Sequence, residues 1–448
     1  MRVILGLSVL TAFSLHAAGS IDTWFKEGLV RGNIRYYYID TAKETGGISS
    51  SQHANAVGGQ LGYTTGSLYG MKLGATFMTT NPFATPDNPA NVDTSIIGRD
   101  NGVRVNGSPN AANADDGFSV LGEAYAQYNR DNYEFWYGRK VITTPLIDAK
   151  DVRMLPSAVQ GGIGSVKLSD GIDVTAGYID RFKQRTSNQF TNVVEHALGA
   201  NTQAITGSSS GYVIPVSLSW KNGALSIRAY DYYAPDFMNS IYMDAMYKDK
   251  LNSEYTYTAS VQGIVQEGIG SADSSAAQAI MGGKINTKAI GAKVTLMRQE
   301  TTLVTAYSHI ASSSGDHDSM VLPWDGTPIY TNMITSNDLF VSNYGQGLTS
   351  DSTYIGGTTG LKFGVIQGFD FTGLKGVKID LEYAHYDSGR FPKAQEDINA
   401  VVSYGKDNFS LGLKGMWVTN NTSAKINNTL NVQNDTLTQY RVIANYTF

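Results

Sequence analysis

Between Pro145 and Pro156 the chain places Asp148, Lys150, Asp151 and Arg153 within a few positions of one another. Carboxylates, an ammonium and a guanidinium this close do no bond-making chemistry by themselves. In a narrow water-filled passage they would impose a transverse field and a size limit on what passes. On an open surface they would be solvated ion pairs of little energetic weight. Neither proline can donate a ladder hydrogen bond, so the stretch of about 143–160 is expected to leave the sheet that precedes it. Arg139 and Lys140 stand just ahead of it. Further charged residues occupy positions that would face the same interior: Arg31, Arg35, Glu123, Arg228, Lys293 and Arg441. Guanidinium groups hold carboxylates through paired hydrogen bonds, so a row of them would draw anionic solutes along. The alternative is that each is tied to a wall carboxylate, such as Glu123 or Glu134, and only stiffens the wall.

Other constellations carry less. Asp316-His317-Asp318 lacks a second ligand pair and reads as the solvated tip of a long loop rather than a metal site. Gly161-Gly162-Ile163-Gly164 is followed by no helical pattern, which argues against a phosphate cradle. No Gly-x-Ser-x-Gly elbow is present to suggest a hydrolase. The residues therefore indicate no catalytic group, no cofactor and no metal. The 34 basic and 39 acidic residues leave no nucleic-acid footprint.

The elements that must hold these side chains are strands. At the end of the chain, Tyr440, Val442, Ala444, Tyr446 and Phe448 share one face of an extended segment. Arg441, Asn445 and Thr447 share the other, with Ile443 as an apolar exception. A last strand that is aromatic outside, polar inside and ends on Phe has the form of the closing strand of a membrane barrel. Tyr440, Val442, Tyr446 and Phe448 would then serve as the signal read by the barrel-assembly machinery. The same alternation recurs with Val30, Ile34 and Tyr36 opposite Arg31 and Arg35, and with Val57, Leu61 and Tyr63. It returns with Ile290 and Val294, and with Ile379, Leu381 and Tyr383. Asn129-Arg130-Asp131-Asn132, Lys221-Asn222-Gly223 and Gly405-Lys406-Asp407-Asn408 read as hairpin turns. Polar insertions at 79–117, 183–210, 267–284, 311–352 and 420–436 read as long loops.

Composition agrees. The 448 residues include 27 Tyr, 48 Gly and 11 Pro but no Cys. Met1-Arg2, the apolar run from Val3 to Phe13 and the small Ala17-Ala18 make residues 1–18 a secretory signal peptide. Residues 19–28 form a short lead-in at the periplasmic mouth, with Ile21, Trp24 and Phe25 at helical spacing. Residues 29–448 make the barrel. No later apolar run is long enough for a membrane-spanning helix, and a chain this polar meets lipid only as a closed barrel. Strands of about 10 residues with their connections give about 16 to 18 of them, enough to enclose a water-filled lumen.

One stretch is more specific. Gly138-Arg139-Lys140 leads into Thr144-Pro145, then into Asp151-Val152-Arg153-Met154-Leu155-Pro156. It resembles the OprD family of outer-membrane porins, in which a Gly-Arg-Gln-x-x-x-Thr-Pro segment precedes an Asp-x-Arg-x-x-Pro segment. Lys140 stands where Gln is usual and adds a positive charge. Looser similarity is carried by Tyr178-Ile179-Asp180-Arg181-Phe182-Lys183 after the seventh strand and by Gly373-Leu374-Lys375-Gly376-Val377-Lys378 before a late one. The resemblance implies an all-β transmembrane antiparallel barrel of about 18 strands. It also implies an inward constriction loop bearing Asp148, Asp151 and Arg153, with Arg139 and Lys140 beside it at the constriction, and a basic ladder that guides carboxylates. The expectation is a passive, charge-selective channel in the bacterial outer membrane. Its contacts are outer-membrane lipid and small hydrophilic solutes, and a homotrimer is compatible with it. An adhesin or structural barrel with an occluded lumen is the rival reading, and a barrel enzyme a weaker one. An active transporter would need a plug domain ahead of Val30, where the alternation already begins.

Overall fold

The computed structural model describes residues 21–88, 91–93, 95–97, 117–149, 152–169, 171–333, 349–351, 355–390, 392–420, 422–425, 431–433 and 436–448. The signal peptide expected over residues 1–18 lies outside them, as do Lys150 and Asp151. A short helix, α1 (Ile21–Lys26), precedes the strands. The first six strands are β1 (Leu29–Thr45), β2 (Ile48–Thr64), β3 (Met71–Ala84), β4 (Phe118–Arg130), β5 (Tyr133–Lys140) and β6 (Ala158–Ser169). Then come β7 (Ile172–Lys183), β8 (Ile214–Asn222), β9 (Leu225–Ala234), β10 (Met238–Lys250), β11 (Tyr255–Gly268) and β12 (Asn286–Arg298). The last six are β13 (Thr301–Ile310), β14 (Thr359–Gly368), β15 (Val377–Asp387), β16 (Gln395–Lys406), β17 (Phe409–Thr419) and β18 (Thr436–Thr447).

Each strand pairs antiparallel with its neighbours in sequence, and β1 pairs with β18 from Asn33↔Thr447 to Glu44↔Thr436. The result is a closed barrel of 18 strands. Phe448 completes the seam: its N–H donates to the Gly32 carbonyl at 2.9 Å, and Gly32 N–H returns the bond at 2.9 Å. Only glycine fits at position 32, because a Cβ there would stand 2.5 Å from the Gln60 carbonyl oxygen and 2.8 Å from the Phe448 ring. No helix among the described residues is long and apolar enough to cross a membrane; the strands do so.

Alternation assigns the faces. Val30, Ile34, Leu61, Ile290, Val294, Leu381, Tyr440, Tyr446 and Phe448 are exposed on the outside, where lipid covers them. Arg35, Tyr37, Glu123, Asp244, Glu382 and Arg441 are buried on the inside. One rim carries tight turns, helped by left-handed residues such as Asp131 (φ 49°), Gly223 (φ 54°) and Asp407 (φ 50°). The other carries the connections 85–117, 141–157, 184–213, 269–285, 311–358 and 420–435. It is not uniformly long, since β9 and β10 are joined by three residues there and β1 and β2 by two. β1 and β2 run for 17 residues each, well beyond the about 9–11 that span a bilayer, so their hairpin projects from it. Tyr178 to Lys183, expected after the seventh strand, form its final residues instead.

Described parts of several connections pack inward and bring their own core. Helices α2 (Val193–Leu198), α3 (Thr202–Thr206) and α4 (Ser275–Met281) pack with Leu146, Ile147, Trp324 and the inner side chains Trp136, Tyr232 and Ile264. A second cluster joins Val92, Ile96, Met154 and Leu155 to Tyr37, Ile39 and Met78 of the wall. Segments Thr349–Asp351, Thr422–Lys425 and Asn431–Gln433 form a small separate sheet.

Because Leu381 points outward near the middle of β15, Leu381→Arg is expected to destabilise the barrel by about 2–4 kcal/mol. Reversible urea unfolding in lipid vesicles measures this, and an unchanged midpoint would contradict the assigned face.

Candidate solute pathway

The connection from β5 to β6 is pinned at both its root and its tip. At the root, Asp148 N–H donates to the Trp324 carbonyl (3.0 Å) and Ser157 N–H to the Ala149 carbonyl (2.8 Å). At the tip, the wall of β1 supplies the donors. Tyr37 Oη–H donates to the Val152 carbonyl at 2.9 Å, and Arg35 Nη1 to the carbonyls of Arg153 at 2.6 Å and Met154 at 3.3 Å. The segment therefore crosses the lumen from β5 and β6 to β1. Asp148 is half-buried and Arg153 is 4 % exposed. Asp151 lies outside the described residues.

Arg139 and Lys140 are the last two residues of β5, just ahead of the connection. Arg139 donates from Nε to Gln160 Oε1 at 3.1 Å and lies over the Phe190 ring. Lys140 donates to Gln127 Oε1 at 2.8 Å and sits near the rings of Tyr125 and Trp136.

The basic wall residues do not form a continuous ring. Arg31 pairs with Glu123 (3.1 Å), which also accepts from Thr76 Oγ1 at 2.6 Å and Val141 N–H at 3.2 Å. Arg228 grips Asp244 with Nε and Nη2. Lys293 lies over the Tyr330 ring, and Lys362 pairs with Glu382 at 3.1 Å. Arg31, Arg228 and Lys362 thus each meet a wall carboxylate, whereas Lys293 meets an aromatic ring. Arg35 also donates to Asn445 Oδ1 at 2.6 Å, and Arg441 to Gln439 Oε1 at 2.7 Å. On this side of the wall a cavity of about 600 Å³ remains, lined in part by Arg35, Arg153, Asp370, Lys378, Lys414 and Asn445. Lys414 lies directly across the strand pair from Arg441. The basic row thus runs over β15, β17, β18 and β1 and meets the tip of the inward connection at Arg153. Lys378 and Lys414 are its missed members. Lys378 alternates with the outward Ile379, Leu381 and Tyr383, and that pattern was the available signal.

Residues 25–448 match the profile of the outer membrane porins of the OprD family. The chain belongs to that family. Its architecture is similar to that of OccK9 (OpdG) of Pseudomonas aeruginosa, with TM-score 0.73 and 16 % identity over 95 % of this chain and 99 % of that one. It is also similar to OpdK of P. aeruginosa, solved with vanillate (TM-score 0.69, 13 % identity, 95 % and 99 % covered). OccAB2 of Acinetobacter baumannii is likewise similar (TM-score 0.69, 14 % identity, 95 % and 99 % covered). No curated protein sequence matches the chain. The protein is thus an outer-membrane channel of the bacterial outer membrane, and its family and fold are those of channels rather than enzymes.

Asp316-His317-Asp318 of this porin is no solvated tip. His317 is 1 % exposed and Asp318 2 %. Asp316 accepts from Asn286 Nδ2 (2.7 Å) and Ser313 Oγ (2.6 Å), while Asp318 accepts from Ser313 N–H (2.8 Å) and pairs with Arg390. The triplet clamps the β13–β14 connection to the barrel rim. Polar composition indicated a loop but not which way it folds. Among the described residues no group of three or more metal-ligating side chains occurs.

Burial drives His317 down from 6.5 to about 3. Between those values the unfolded connection binds a proton that the packed one refuses, so packing is strongest above about pH 6.5 and weakens as pH falls towards 3. Hydrogen exchange of residues 311–325, corrected for intrinsic rates, should be less protected near the acid end of this window. His317→Gln should flatten the dependence, and equal protection across the window in the native porin would refute the burial.

Proposed function

We propose that the porin is a passive, charge-selective diffusion channel for small hydrophilic solutes, carboxylates foremost, narrowed by the β5–β6 connection. The cavity carries the proposal. Among the described residues, Arg35, Arg153, Lys378 and Lys414 line it, against Asp370 as the carboxylate. Fixed cations in a passage with low-dielectric walls raise the local concentration of anions. The charges lie within about one physiological Debye length (about 8 Å) of a solute threading such a space, so bulk salt screens them incompletely. Arg153, carried inward on the pinned tip, supplies the charge opposite the wall. Vanillate, present with the similar OpdK, is an aromatic carboxylate, which is consistent with an anionic cargo here. Tyr440, Val442, Tyr446 and Phe448, on the closing strand, are the proposed recognition signal for assembly into the membrane.

Reversal potentials across planar bilayers in a salt gradient test the reading. Lys378→Ala with Lys414→Ala should move selectivity towards cations, as should Arg153→Ala, while Asp148→Ala should move it towards anions. Blockade or permeation by a panel of mono- and dicarboxylates, sugars and peptides then ranks the solutes. Identical reversal potentials in all variants would reject charge selection, and a membrane left insulating by the folded protein would reject the channel.

A further inference from the structure

We propose that Asp325 is the positioning residue that sets the aperture of the channel. It does so by locking three inward connections together at one buried carboxylate. The inference rests on the channel reading above and adds to it the device that holds the narrow point in place.

Asp325 belongs to the β13–β14 connection and is fully buried. Its carboxylate accepts from Ser157 Oγ, at the root of the β5–β6 connection, and pairs with Arg185 of the β7–β8 connection. Arg185 is 4 % exposed, and the neighbouring Lys183 is fully buried. Lys183 donates to the carbonyls of Gln184 (3.1 Å) and Ser187 (3.3 Å), which fixes the chain that presents Arg185. The backbone closes the same junction. Asp325 forms an isolated bridge with Ile147, and Gly326 N–H donates to the Leu146 carbonyl at 3.2 Å. The approach is tight, since a Cβ on Gly326 would stand 2.3 Å from Leu146 Cα. Asp325 itself holds a left-handed backbone (φ 66°), a conformation uncommon outside glycine that must be held by its surroundings.

The geometry links this junction to the passage. Ser157 N–H closes on the Ala149 carbonyl, so the segment between them is a loop with one fixed root. Its tip carries Arg153 and rests on Arg35 and Tyr37 of β1. A root that shifts strains the tip against its anchors on β1, and the charge facing the cavity loses its fixed place. A carboxylate suits the junction because it accepts a hydroxyl and meets a guanidinium at once. Removing its charge leaves Arg185 buried without its counter-ion, and that destabilises the junction rather than merely loosening one bond.

Single-channel recording distinguishes this role from general packing. Asp325→Asn, nearly isosteric, should keep a folded, heat-modifiable barrel. Its current should show a raised mean conductance, added open-channel noise and sublevels. Ser157→Ala, which keeps the ion pair, should shift the same readouts less. The double variant Asp325→Asn/Arg185→Gln, which removes both charges, should return conductance and noise towards the native values. A quiet, native-level current from folded Asp325→Asn overturns the proposal. So does a double variant as noisy as the single one, because the fault would then be lost packing and not a lost pair. The Lys378 and Lys414 variants, recorded in the same bilayers, report on the channel reading separately. If their selectivity shifts while Asp325→Asn stays silent, only the positioning role fails. If the native protein passes no current, the channel reading itself fails.

Discussion

Inside a bilayer no water reaches a backbone amide, so a strand can stay there only if both its edges are paired. The seam between β1 and β18 meets that requirement, with Gly32 and Phe448 exchanging their last two bonds. Its register does more than close the wall. Side chains alternate with period two, so a slip of β18 by one residue against β1 would turn Arg441 and Asn445 to lipid and Tyr440 and Tyr446 to the lumen. The pairing Arg35↔Asn445 places both on the inner face, and Arg35 Nε then reaches Asn445 Oδ1 across the seam. Closure, the lipid-facing girdle and the basic row therefore stand or fall together.

A wall of this size encloses more space than its own side chains can fill, and the connections occupy the difference unevenly. Their apolar residues pack against the inner faces of β5 to β13 in one cluster and of β1 to β4 in another. The cavity is left against β15 to β18 and the lower part of β1. Smaller apolar clusters, Met333 with Ala384 and Tyr386, and Met416 with Val418 and Leu437, occur on that side as well. On the proposed reading, the cations there would act on a solute because of where the packing leaves room, not because they outnumber the rest.

Much of the barrel was legible because its signals are local. Period-two alternation marked Val30 to Tyr38 and Ile379 to Tyr383, turn residues marked 129–132 and 405–408, and the two prolines marked where the wall is interrupted. Resemblance in Thr144-Pro145 and in Asp151 to Pro156 indicated the family. The pairing of charges was not legible, because it depends on residues distant in the chain. Arg31 meets Glu123 from 92 positions away, and Ser157 meets Asp325 from 168. Nothing in the local pattern separates Lys362, which is bound to Glu382, from Lys378, which lines the cavity. His317 was misplaced for a related reason: a stretch rich in Ser, Gly and Asp reads as solvated whether it folds outward into water or inward onto a core.

Irregular chain at membrane depth persists only where its polar groups are satisfied by protein or by a wet cavity. In this porin the inward side chains of the wall do that work. The Gln266 amide both donates to and accepts from the Val321 backbone (2.8 Å each), reproducing a ladder rung with a side chain. Thr287 Oγ1 donates to the Ser319 carbonyl (2.6 Å), Tyr386 Oη to the Thr331 carbonyl (2.6 Å) and Lys362 Nζ to the Asn332 carbonyl (2.7 Å). A polar residue facing the lumen therefore has two distinct uses. Those bound to the connections are withdrawn from the solute and determine where the chain inside the barrel lies. Those left along the cavity are the ones to which the proposed selectivity is assigned. Inward polar positions overstate the second group, because some are tied up within the protein: Arg31 and Arg228 pair with the wall carboxylates Glu123 and Asp244, and Lys293 lies over the Tyr330 ring of a connection. Arg35 serves in both roles, lining the cavity while holding the carbonyls of the inward tip.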